Sequence, residues 1–104
     1  MSIVHVLAFI TAKPGQRAAV LELFEANVPA VLEEDGCLAY EATIDARSAG
    51  PSQMAVGQDT FVVVERWASL DALDAHAKSE HMLAYAAKTR GLLSDRKIHV
   101  LSAA

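Results

Sequence analysis

The run from residue 3 to residue 12 is apolar at both parities, and no other feature limits the possible folds of this chain so strongly. Read as a strand, it carries Val4, Val6, Ala8 and Ile10 on one face and Ile3, His5, Leu7 and Phe9 on the other. Residues 60–67 repeat the pattern, with Val62 and Val64 on one side and Phe61, Val63, Glu65 and Trp67 on the other. Helices laid on a sheet cover one face only. The second apolar face would then stand in water, which soluble monomers rarely tolerate. A second copy of the chain across a two-fold axis is the simplest cover. A homodimer is therefore expected, with a partly apolar cavity beside each sheet.

The remaining elements follow from periodicity and breakers. Lys13-Pro14-Gly15 ends the first strand, since proline has no donor and glycine permits a sharp turn. Over residues 16–34 the period becomes helical, with Val20, Leu23, Phe24, Val31 and Leu32 on one side; Pro29 is expected to kink or split this helix. Residues 37–46 alternate as a second strand, with Leu38, Tyr40, Ala42 and Ile44 sharing a face. Residues 47–59 form a connection longer than most hairpin loops, a length that suits a mobile cover. Ser69 is placed to cap a helix with Asp71 in its first turn. Leu70, Leu73, Ala77, Leu83 and Tyr85 carry the helical pattern to about residue 90, with a break at Ser79, and residues 97–101 form the last strand. The order β-α-β-β-α-β is the split pattern of a ferredoxin-like α+β fold with a four-stranded antiparallel sheet, one domain over residues 1–104.

Composition narrows the function classes. Hydrophobic residues make up 53% and charged residues 21% of the 104, so a packed core is affordable. Nine Lys plus Arg against thirteen Asp plus Glu leave a net charge of −4, the wrong sign for a nucleic-acid partner. No apolar run approaches the roughly 20 residues of a membrane helix, and the first residues lack a secretory pattern, so a cytoplasmic location is the default. Cys37 is the sole cysteine and reads as a small buried thiol, not a nucleophile.

Glu65 and Trp67 share a parity and point together into apolar space, where a carboxylate holds its proton more tightly. Glu65 is a base, the orienter of a histidine, or an edge carboxylate paired with Arg66, Arg90 or Arg96. His76 and His81 lie five residues apart, about 140° around an unbroken helix, so they share a direction only if the helix breaks at Ser79. Either histidine suits proton transfer near neutral pH. A metal is not expected, given one cysteine and no paired-histidine helix motif. His5 and Phe9 are weaker candidates for the same apolar space, and Tyr40 lines it or packs beneath a helix.

Together, Lys13-Pro14-Gly15, the stretch from Glu34 through Tyr40, Glu65-Arg66-Trp67, and His76 with Ser79-Glu80-His81 resemble the antibiotic biosynthesis monooxygenase family, within the dimeric α+β barrel superfamily and near its quinol-monooxygenase-like members. The resemblance spans nearly the whole chain. It implies a homodimer and a pocket between helices and sheet bordered by Glu65, Trp67, His76 and His81. It also implies oxidation of a small phenolic or quinol-like molecule by O2 without flavin, haem or metal. His76 oriented by Glu65 is then the expected base, with Trp67 against the substrate ring. Haem degradation is disfavoured, because related haem-degrading proteins use an asparagine on the first strand and the only asparagine here is Asn27. An isomerase of a small carbonyl compound, and a non-catalytic binding dimer, are the alternatives.

Overall fold

The computed structural model describes residues 2–104. The element order is β1 (Val4–Ala12), α1 (Arg17–Leu32), β2 (Cys37–Thr43), β3 (Thr60–Trp67), α2 (Leu70–Lys78), α3 (Glu80–Thr89), a short 3-10 turn (Arg90–Leu92) and β4 (Leu93–Ser102). The strands form one antiparallel sheet in the order β2-β3-β1-β4. This is the expected ferredoxin-like α+β layout, with the second helix divided in two. Among the described residues no helix is long and apolar enough to cross a membrane.

Register decides which apolar face becomes core. Val4 pairs with Trp67, Val6 with Glu65, Ala8 with Val63 and Ile10 with Phe61. These eight side chains lie on the face beneath the helices, and all are buried. Val20, Phe24 and Val31 of α1 close over them. The opposite face carries half-buried His5, Leu7 and Phe9, with Ile3, Val64 and Leu101 exposed. None of the described residues covers that face, so the large apolar surface read from strand parity is present. On β4 both faces are open: Ile98 and Val100, on the helix side, are about half exposed. The helices pack over β1, β2 and β3 instead.

Three local expectations are corrected. Helix α1 runs unbroken through Pro29, so that residue does not split it. In β2 a bulge interrupts alternation: Cys37 faces Trp67, Ala39 faces Arg66, and Leu38 is the extra residue. Leu38 therefore turns out to solvent while Tyr40 and Ala42 stay inside. Strand β4 begins at Leu93, earlier than expected, because it pairs along the full length of β1.

The 44–59 connection is tied at its base. The Asp45 carboxylate accepts the backbone N–H groups of Val56 and Gly57 at 2.9 and 3.0 Å. Arg17 donates to the carbonyls of Gly57 and Thr60. Residues 46–55 are all exposed, and Met54 is 91% exposed, so the tip does not close over the core.

Candidate functional site

A glycine brings the site together. Gly36 follows α1 with φ of +82°, a left-handed conformation that favours glycine, and a Cβ there would lie 2.7 Å from the Ala72 Cβ. Its carbonyl also accepts the Ala68 N–H at 2.8 Å. Helix α2, capped by the Ser69 hydroxyl on the Ala72 N–H, thus presses directly on the α1–β2 corner. One turn beyond Ala72, His76 meets Glu34, two residues before Gly36.

His76 is 5% exposed and sits among aromatic rings. Its ring centroid is 4.5 Å from that of Trp67 and 5.4 Å from that of Tyr40. Tyr40 in turn stacks on Phe24. His76 Nδ1 lies 2.9 Å from Glu34 Oε2, and His81 Nε2 lies 2.7 Å from the same oxygen. That convergence depends on the break at Ser79, whose extended backbone ends α2 and starts α3 in a new direction. The Ser79 hydroxyl donates to the His76 carbonyl and stabilises the break.

Glu65 and Trp67 project from alternate positions of β3, and the Trp67 Nε1–H donates to Glu65 Oε1 at 2.9 Å. Burial pushes the Glu65 carboxyl above the usual carboxylate range, opposed by that bond and by nearby His76. Burial likewise drives the Tyr40 phenol strongly upward, reinforced by the charge of Glu65, so it stays protonated. Tyr85 is raised to about 12, chiefly by burial. The Cys37 thiol is half-buried, where a buried one was expected, and is raised by burial and by Glu34 and Glu65, which disfavours the thiolate.

Glu65, Trp67, His76, His81 and Tyr40 are therefore brought together. His5 and Phe9 are not. Register puts them on the opposite sheet face, where Phe9 meets His99 edge-on with centroids 5.7 Å apart. Two apolar faces of equal period carry no mark of which one the helices will cover. The expected pairing of Glu65 with His76 is corrected too: Glu65 bonds Trp67, and Glu34 holds the histidine. No salt bridge joins Glu65 to an arginine among the described residues. Glu34 escaped the reading of candidate residues because it lies just past a helix end, 42 residues from His76. The signal was the Ser79 break, which turns two histidines five apart toward a common acceptor.

The expected pocket bordered by Glu65, Trp67, His76 and His81 together is corrected: of these four, only His81 borders either of two surface clefts, because the other three are packed into the core. One, of about 170 Å³, lies between α1 and α3 and is bordered by Asn27, His81, Tyr85 and Lys88. The other, of about 460 Å³, lies between the start of α2 and the end of β4, bordered by Leu70, Val100 and Leu101. Among the described residues no group of three or more His, Cys, Asp and Glu is arranged to hold a metal ion; the Glu34 contacts have hydrogen-bond lengths.

Comparison with known proteins agrees with this architecture. The chain is 39% identical over 98 residues to the Escherichia coli protein named "Probable quinol monooxygenase YgiN", covering 92% of this chain and 93% of that one. The structure of Rv0793 from Mycobacterium tuberculosis superimposes with a TM-score of 0.80 at 31% identity, covering 99% of this chain and 96% of that one. The crystal structure of PA3566 from Pseudomonas aeruginosa gives a TM-score of 0.82 at 28% identity, over 100% and 96% of the two chains. Residues 3–88 match the family model described as antibiotic biosynthesis monooxygenase, and with this match and these relatives the chain belongs to that family.

Proposed function

We propose that the protein is a monooxygenase that oxidises a small phenolic or quinol-like aromatic with O2, using its own side chains and no flavin, haem or metal. The observation that carries this reading is a buried histidine, His76, set between Trp67 and Tyr40 in a chain 39% identical to a protein named "Probable quinol monooxygenase YgiN". His76 takes the phenolic proton. The resulting anion is electron-rich enough to reduce O2 directly. One oxygen atom enters the ring and the other leaves as water, so that a quinol plus O2 gives a hydroxyquinone plus water. The substrate supplies all the electrons, and the balance needs no external reductant. Trp67 is fully buried, so it does not take the expected place against the substrate ring; it backs the His76 ring from the core side, and the low-dielectric surroundings favour charge transfer from a desolvated anion.

A second copy of the chain belongs to the same proposal. Ile3, Val64 and Leu101 are exposed beside half-buried Leu7 and Phe9 on the sheet face that no helix covers. Burying that face against its twin removes it from water.

The test is an oxygen electrode with purified protein and a panel of quinols and polyphenols. Uptake of one O2 per substrate, with a single labelled atom from 18O2 in the product, is the expected result. Turnover that continues undiminished without oxygen would instead make it an isomerase. Tight binding with no turnover would make it a binding protein.

A further inference from the structure

The two rings that meet at Glu34 determine where their protons lie. An ionised carboxylate oxygen can only accept, so both His76 Nδ1 and His81 Nε2 present N–H groups to Glu34 Oε2. A neutral His76 with its proton on Nδ1 has its lone pair on Nε2. That nitrogen has no hydrogen-bond partner among the described residues, yet no buried side-chain polar atom is left unpartnered. Nε2 therefore keeps some accessible surface, although the residue as a whole is 5% exposed. Glu34 itself is firmly held. Its N–H donates to the Val31 carbonyl at 3.0 Å, and its carbonyl accepts the Cys37 N–H at 3.1 Å. Its side chain is only 13% exposed, and among the described residues its ionic partners are the two histidines alone.

We propose that Glu34 is the positioning residue of this site: its carboxylate fixes His76 as the Nδ1–H tautomer, making Nε2 the atom that receives the substrate proton, while His81 anchors the same oxygen from the open α1–α3 cleft. The assignment rests on His76 being the base. When Nε2 takes the proton, Nδ1–H still faces the Glu34 oxygen 2.9 Å away, so the ring keeps its orientation without rearrangement. His81, 30% exposed in its side chain, keeps the carboxylate from swinging into water. Glu65 cannot serve in this role, since its contact is the Trp67 indole.

The experiment is 15N–1H correlation spectroscopy of protein labelled in its histidine rings, at a pH where His76 is neutral, beside turnover of a quinol. In the unaltered protein the His76 proton is expected on Nδ1. Glu34→Gln keeps the size, and its amide N–H can donate to Nδ1; thermal melting checks that the variant stays folded. The ring should then shift to the Nε2–H tautomer, with turnover falling about 10²–10⁴-fold. Glu34→Ala should lose the tautomer preference and as much activity. A wild-type ring carrying its proton on Nε2, or a Glu34→Gln variant with unchanged tautomer and turnover, overturns the assignment. If the tautomer behaves as stated while His76→Ala still oxidises quinols at the full rate, the positioning survives and the oxidation reading fails.

Discussion

Replacing Trp67 with phenylalanine removes the indole N–H that Glu65 depends on, inside a part of the core with no access to water. Trp67 is fully buried and Glu65 is 7% exposed, so solvent cannot replace the lost bond. A hydrogen bond to a charged group contributes about 2 kcal/mol. The space vacated by the smaller ring adds ~1–2 kcal/mol. The single variant should therefore lose about 3–4 kcal/mol of stability at neutral pH. In a Glu65→Gln background the acceptor is neutral and the bond is worth about 1 kcal/mol, so the same replacement should cost ~1 kcal/mol less. Urea denaturation of all four proteins, at one protein concentration, measures the coupling. The pH dependence has a definite sign. Because burial raises the folded Glu65 carboxyl, its contribution is fully present below its ordinary value and is lost as pH rises through the folded midpoint. Glu65→Gln removes that loss, so its stability relative to wild type should grow with pH across that window. Additive effects within about 0.5 kcal/mol, or a stability difference flat in pH, would refute the buried-carboxylate account.

Other consequences are as direct. Gly36→Ala puts a methyl group against Ala72 in a left-handed backbone, and should cost more than ~2 kcal/mol by thermal melting while disturbing the His76 environment. The Asp45 carboxyl is held below its usual range by the Val56 and Gly57 amides, so the tie at the base of the loop persists above the ordinary carboxylate midpoint and is lost only as pH falls through the lowered one. Limited proteolysis should accordingly show faster cleavage between residues 46 and 55 in Asp45→Ala at neutral pH, where an unaltered rate would remove the assigned role. The proposed second copy predicts that Phe9→Asp halves the sedimenting mass without unfolding the chain, whereas a monomeric parent protein would contradict it.

How much of this was legible in the sequence varied with the range of the interaction. The parity of β1 and β3, the Ser69 cap and the Ser79 break are local, and each is where periodicity and capping place it. The joint placement of Glu65 and Trp67 followed from their spacing of two on one strand. The side of the sheet that His5 and Phe9 occupy did not, because both faces of β1 are apolar and only tertiary packing chooses between them. The bulge at Leu38 is a one-residue register event that composition does not mark. Glu34 is the most instructive case. It entered as part of a family-like stretch, yet its role arises from a contact across 42 residues, made possible by the absent side chain at Gly36.

The central claim is that His76 is the base of an oxygen-dependent reaction, and steady-state kinetics of His76→Ala tests it most directly. With a quinol that the unaltered protein oxidises, kcat/KM measured by oxygen uptake should fall about 10²–10⁴-fold while the variant keeps its fold by circular dichroism. Full activity in the folded variant would contradict the account.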